Sequence, residues 1–425
     1  MTLPYQPVHQ IVIALVASCA LLLSTLSHGA AIQATELLSD NIDVDIKIYP
    51  AEGDYILLWI APDYGFKQGQ HELAENLVNE KIETWMVDIT ESLFLSRGSR
   101  SMRQMTGKYV AELLARAHQK TTKKIILVSS FYGAIPVLRG ARQWQLDHNE
   151  ASYLLGAVLF SPALYAEIPT LGKDPEYLPI ANATNLPVMI FQGETNGFRW
   201  QVKQLLQHLY ASGSPAYSSI MPGISSLFYP DKRNSAMEAY FSLLPNRIRQ
   251  TIALFEQSVY PTQAIDIKKS PLKSRNLDIE LRAYKGNVVT SPIHLVDVTN
   301  KKFNLNDFSG KVTVLNFWAT WCPPCVEEIP SLNKLAQTID HPDFRVISVN
   351  YAESADVIKK FLKTFKVEFP VLLDHKGEVS RDWKIVVFPS TFIIGIDGNI
   401  KYGVNAAIQW DAAKTVEQIK GLLPK

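Results

Sequence analysis

Short apolar runs alternate with amphipathic helical patterns along most of this chain. Between Asp43 and about Pro261 the runs Tyr55–Ile60, Thr84–Ile89, Lys124–Ser129, Gly156–Phe160 and Val188–Phe191 are short and almost continuously apolar. That pattern predicts parallel strands covered on both faces. Between them, Glu72–Lys81, Tyr109–Gln119 and Gln201–Tyr210 read as helices. The second places Val110, Leu113, Leu114 and Ala117 on one face. Val44, Ile46 and Ile48 alternate with polar residues ahead of the turn-forming Ala51-Glu52-Gly53-Asp54, which predicts a hairpin into the Tyr55 run. Strands alternating with helices imply a doubly wound α/β sheet.

The pattern then breaks. Lys268–Asn276 is polar, basic and interrupted by Pro271, as linkers are. Beyond it a second α/β unit is expected. Ile293–Val298 and Lys302–Leu305 suggest a hairpin, followed by strand Val312–Phe317, helix Pro324–Thr338, strand Phe344–Val349 and a helix from Ala355. Thr391–Ile396 turns at Asp397-Gly398 into Asn399–Tyr402, a hairpin signal, and Asp411 is placed to cap a last helix, Ala412–Leu422. The division is residues 1–31 as a signal peptide, 40–262 and 281–425 as two α/β domains, and 263–280 as their linker.

Composition sharpens this in two places. At 425 residues and a net charge of +1, the chain is long enough for two cores and offers no electrostatic reason to bind nucleic acid. The basic stretch Arg97, Arg100, Arg103 and Lys108 reads as a solvated loop and helix face. The apolar run Ile11–Leu23, followed by small residues at Gly29-Ala30-Ala31, has the layout of a secretory signal, although no Lys or Arg precedes it. An uncleaved anchor, or a lipoprotein box at Val16-Ala17-Ser18-Cys19, are the other readings. The chain has three cysteines, and removal of the leader would take Cys19 and leave Cys322 and Cys325. An exported protein with one vicinal pair has no disulfide framework, so the pair serves redox chemistry or a metal. Zinc wants four ligands, and no second cysteine pair or His-x-x-x-His accompanies this one.

Trp321-Cys322-Pro323-Pro324-Cys325 follows a strand and opens a helix. Cys322 is expected at the helix N-terminus, where the dipole and free N–H groups stabilise an exposed thiolate, with Cys325 further buried in the first turn. Leu305–Lys311, Asn316–Cys325, Glu328-Ile329-Pro330 and Phe388-Pro389-Ser390-Thr391-Phe392 together make roughly the last 135 residues similar to the TlpA/ResA-like branch of the thioredoxin superfamily. The resemblance implies a thioredoxin fold, Cys322 attacking a partner disulfide, Cys325 resolving the mixed disulfide, and a cis bond before Pro389 beside the sulfurs; an ordinary trans turn is the other reading of that proline. Glu328 matches an acidic residue near the buried sulfur in this branch. Asn316 stands where ordinary thioredoxins carry a titrating Asp. Glu328 is either the acid/base for Cys325 or a first-turn acid that only complements the helix dipole.

The element order from Tyr55 to Pro230 resembles an α/β-hydrolase, with Ile125–Ala134 as the strand entering the nucleophile turn. That turn needs small residues two positions before and after the nucleophile. Ser129 and Gly133 fit, but the position between them is Phe131. The acid would fall near Asn196, with Glu194 as a substitute, and no histidine stands near Pro222–Ser226; His208 lies in an expected helix. The N-terminal domain therefore reads as hydrolase-like without a triad. The overall expectation is an exported, periplasmic thiol–disulfide oxidoreductase without cofactor or metal, acting on protein thiols and disulfides. The resemblance implies a membrane electron donor of the DsbD/CcdA type, with the N-terminal domain binding a client or partner. An active serine hydrolase in that domain is the alternative.

Overall fold

The computed structural model describes residues 31–148, 152–167, 169, 171–228, 233–258, 263–267, 280–304 and 310–424. The expected signal segment up to Ala30, the linker stretch Lys268–Asn276 and the motif residues Leu305–Ser309 lie outside them.

Among the described residues the strands form two eight-stranded sheets. The first contains β1 (Ile32–Leu38), β2 (Ile42–Tyr49), β3 (Tyr55–Ile60), β4 (Ile82–Val87), β5 (Lys124–Ser130), β6 (Leu154–Phe160), β7 (Val188–Gly193) and β8 (Ala216–Met221). Their spatial order is β1-β2-β4-β3-β5-β6-β7-β8. All neighbours run parallel except around β2, which is antiparallel to both β1 and β4. The continuous apolar runs are explained by burial of both faces. Ile56, Leu58 and Ile60 of β3 enter one core with Val110, Leu113 and Leu114 of helix Lys108–Thr121. Leu57 and Trp59 point the other way, into a core with Leu73 and Leu77 of helix Gln68–Val78 and with Leu244, Ile248 and Ile252 of helix Ser235–Glu256.

The expected hairpin between Val44–Ile48 and the Tyr55 run does not form. The β2 strand pairs instead with β1, through the turn Ser39–Asn41, and on its other edge with β4. Alternation marked β2 as a strand but could not choose its partner, because β1 precedes residue 40 and β4 lies a helix away. Helix Ser235–Glu256 was not among the expected elements; Pro245 inside it interrupts the local signal. Arg103 is not fully solvated either: its guanidinium lies 5.4 Å from the centre of the Tyr132 ring.

The second sheet has the thioredoxin fold. Its strands are β9 (Arg282–Ala283), β10 (His294–Asp297), β11 (Lys302–Asn304), β12 (Val312–Trp318), β13 (Phe344–Tyr351), β14 (Val371–Asp374), β15 (Ser390–Ile394) and β16 (Ile400–Val404). They are ordered β11-β10-β14-β13-β12-β15-β16-β9. The inner β12, β13 and β14 run parallel, and β15 is antiparallel to β12. Side chains alternate across β12, so Leu315 and Phe317 fill one core while Val312 and Val314 face Leu332 and Leu335 of helix Pro323–Thr338. The last helix runs Ala413–Lys420 with Ala412 at its N-cap, and no side chain caps it. Asp411 does not cap as expected; its carboxylate lies 3.3 Å from the Lys334 ammonium.

The two sheets share contacts. Leu171 enters the core of the second sheet, Val386 packs into that of the first, and the Tyr351 hydroxyl donates to the Asn196 carbonyl at 3.1 Å.

Candidate active site

The redox pair sits where a parallel strand hands over to a helix. β12 ends at Trp318, and Cys322 is the N-cap of helix Pro323–Thr338, with prolines in the first turn where no intrahelical N–H is required. Its sulfur accepts the Cys325 N–H at 3.3 Å. Cys322 and Cys325 are joined by a disulfide with their Cα atoms 5.3 Å apart. Burial differs from expectation at one of them. Cys325 is 1% exposed, as a resolving position in the first turn should be, but Cys322 is only 5% exposed rather than presented to solvent. Both lie in a cluster with Trp318, Ile329 and Ile358, flanked by Trp321 and Phe388. The Phe388–Pro389 peptide bond is cis, immediately ahead of β15.

Glu328 lies one turn beyond Cys325 and is 3% exposed. The β12 pleat puts Asn316 on the same helix-facing side as Val314 and Trp318. From there its amide donates to Glu328 Oε1 at 2.8 Å and to the Thr391 hydroxyl at 2.9 Å. Trp410 Nε1 donates to Glu328 Oε2 at 2.9 Å. Burial pushes the Glu328 carboxyl up to about 7, against the opposing pull of the Trp410 and Asn316 hydrogen bonds. It therefore changes charge near neutrality, the range a proton-transfer group needs. Trp410 and Thr391 carried no local signal of this role. Trp410 reaches Glu328 from a loop 82 positions along the chain. Removing the Trp410 bond while keeping an aromatic ring, as in Trp410→Phe, should raise the Glu328 pKa further, by on the order of one unit. Following the Glu328 carboxyl by NMR through a pH titration checks this, and a downward shift would contradict it.

Glu353 is a second, half-buried carboxylate that sequence reasoning missed. It accepts the Thr320 N–H at 2.7 Å, the Thr320 hydroxyl, and the Asn350 amide at 2.7 Å. Burial raises its pKa, and those same hydrogen bonds lower it. The contacts clamp the turn just before Cys322 to the end of β13. Among the described residues no group of three or more His, Cys, Asp and Glu side chains is arranged to hold a metal ion.

Known proteins resemble this part of the chain. The AhpC/TSA family model matches residues 280–403. The thiol-disulfide oxidoreductase ResA of Bacillus thuringiensis subsp. konkukian is 32% identical over 131 residues, which are 31% of this chain and 72% of that protein. Through its C-terminal part, the chain belongs to the ResA family. ResA of Geobacillus kaustophilus is 31% identical over 127 residues, 30% of this chain and 73% of the relative. Among solved structures, StoA from Bacillus subtilis is similar at 25% identity, covering 32% of this chain and 98% of its own, with a TM-score of 0.28. The ResA match and the Cys322–Cys325 pair together make the protein a thiol–disulfide oxidoreductase.

The ResA relatives leave the first sheet unaccounted for, and its own candidate site is a different matter. At the end of β5, Phe131 adopts φ +49°, the left-handed conformation of a sharp strand-to-helix turn. Position 133 must be glycine there, since a Cβ would lie 2.1 Å from the Ser129 hydroxyl and 3.0 Å from the Pro62 Cα. The Phe131 ring has no nucleophilic atom and meets the Phe198 ring edge-on. Ser130 is buried and its hydroxyl has no hydrogen-bond partner among the described residues. His208 is engaged elsewhere, with the Asn182 side chain at 2.8 Å. Asn196 caps its own turn by accepting the Phe198 N–H, and Glu194 accepts the Gly223 N–H. The serine-hydrolase alternative thus finds no Ser–His–acid arrangement among the described residues.

Proposed function

We propose that the protein is an exported reductase of protein disulfides. The observation that carries this reading is the N-cap position of Cys322 in a cluster flanked by Phe388 of the cis Phe388–Pro389 bond, with the buried Glu328 carboxyl, pushed up to about 7, one turn beyond Cys325. In the reduced form, the dipole and N–H groups of the helix start favour a Cys322 thiolate. It attacks a partner disulfide, an S–S bond forms between Cys322 and the partner, and one partner thiolate leaves. Glu328 in its charged form takes the Cys325 proton, and the Cys325 thiolate attacks Cys322 to release the second partner thiolate. The partner gains two electrons, and the chain is left as the Cys322–Cys325 disulfide. A membrane donor of the DsbD/CcdA type would return those electrons. The apolar run Ile11–Leu23 supports export to the periplasm.

The first sheet supports an α/β-hydrolase-like domain that has lost its chemistry. One antiparallel strand near the edge of an otherwise parallel sheet, and the left-handed turn at Phe131, favour that ancestry; the phenyl ring at the turn leaves no nucleophile there, which favours a client- or partner-binding role over hydrolysis. Cys325→Ser should trap the first half-reaction. We expect DTT-sensitive adducts through Cys322 in cells making this variant and none with Cys322→Ser/Cys325→Ser, read on non-reducing gels. Absence of adducts in both would remove the exchange role.

A further inference from the structure

A turn of the first domain packs against the segment that leads into cis-Pro389. Gly197 follows β7 and opens the turn Gly197–Gln201. A Cβ on Gly197 would lie 2.9 Å from the Phe388 ring and 3.1 Å from the Val386 carbonyl. Phe388 precedes cis-Pro389, meets Trp321 edge-on at 5.8 Å and packs on Tyr351 at 4.9 Å. The segment is fixed from both sides. The Tyr351 hydroxyl holds the Asn196 carbonyl, and Arg381 lies 5.0 Å from the centre of the Trp200 ring. Within the first sheet, the Asn196 side chain accepts the Phe198 N–H at 2.9 Å and donates to the Ser225 carbonyl at 3.1 Å.

We propose that Asn196–Trp200 is a built-in occupant of the face on which a protein client docks. In the closed chain Cys322 then exchanges with small disulfides, and a protein disulfide reaches it only once this contact opens. This rests on the reading of Cys322 and Cys325 as a protein-disulfide reductase. The backbone beside a cis-proline is where an extended peptide can add as a strand, and here the residue flanking that proline is already covered. Contacts between domains of one chain resemble transient interfaces, so opening needs no unfolding. A glycine at 197 is what lets the two backbones approach, since the nearest atoms a Cβ would meet all belong to the second sheet. A side chain there is a wedge between the domains and nothing else.

The test compares full-length wild type, Gly197→Ala and Gly197→Leu, each reduced and freed of reductant. Two rates are measured, with insulin and with bis(2-hydroxyethyl) disulfide. The insulin rate should rise in order of wedge size, reaching about tenfold for Gly197→Leu as the open fraction grows. The small-disulfide rate should stay within about twofold, because the sulfur chemistry is untouched. Tyr351→Phe removes the hydroxyl that holds Asn196 and should act in the same direction, which covers a Leu variant that folds poorly. Unchanged insulin rates in Gly197→Ala and Tyr351→Phe, or parallel increases with both substrates, would overturn the gate. Wild type inert toward both disulfides would instead overturn the reductase reading, and the gate with it.

Discussion

Cys322→Ser should abolish thiol–disulfide exchange, by at least about 10³-fold, with the fold intact. The two halves of this expectation come from different properties of one position. Cys322 is the N-cap of helix Pro323–Thr338, and its side chain accepts the Cys325 N–H. Serine is among the preferred N-cap residues, so the replacement keeps that bond and the helix start. What it removes is the group that ionises. A thiol near a helix N-terminus is poised to be a thiolate close to neutral pH, while a serine hydroxyl has no comparable anion to offer and cannot form a mixed disulfide. The variant should therefore melt with the cooperativity of the reduced wild type and show no insulin reduction. Retention of even a tenth of the wild-type rate would mean that Cys325 attacks directly, which its 1% exposure argues against.

Chain-local patterns marked what is local and missed what is not. Most inner strands were visible because both faces are buried, giving apolar runs such as Tyr55–Ile60 and Val312–Phe317, whereas β1, β8, β9 and β14 were not among the expected elements. The Cys-x-x-Cys pair was visible because strand, cysteines and helix are consecutive. The partner of β2 was not, since alternation names a strand without naming its neighbour. Nor were Trp410 and Glu353, which become part of the site only when a distant loop and the end of β13 fold against it. Asp411 was read as a cap from its position alone, and a lysine one helix away offered its carboxylate a partner instead. The burial of Cys322 was not legible either, because Trp318, Ile329 and Ile358, which surround it, come from a strand and two helices far apart in the chain.

Glu328→Gln should make the protein's stability less dependent on pH and remove the inflection near pH 7 from its exchange activity. Glu328 has a folded pKa of about 7 against an ordinary value of 4.5, raised chiefly by burial. Between those values the folded chain keeps a proton that the unfolded chain releases. The resulting stability is fully present below about pH 4.5 and is lost as pH rises through about 7. At one pKa unit per 1.36 kcal/mol, the loss is on the order of 3 kcal/mol across that window. Glutamine has nearly the same shape but no charge, so it has no such slope. It also presents an NH₂ to donors at Asn316 and Trp410, a cost that is the same at every pH and cancels when two pH values are compared. Urea unfolding of both proteins at pH 5 and pH 8 isolates the term: the wild type should lose about 2.5 kcal/mol more than the variant between them. In exchange, the wild-type rate should rise as Glu328 ionises and can take the Cys325 proton, and the variant should follow only the titration of the thiols. Equal slopes in unfolding and superimposable rate profiles would reduce Glu328 to a helix-start acid with no part in moving the proton.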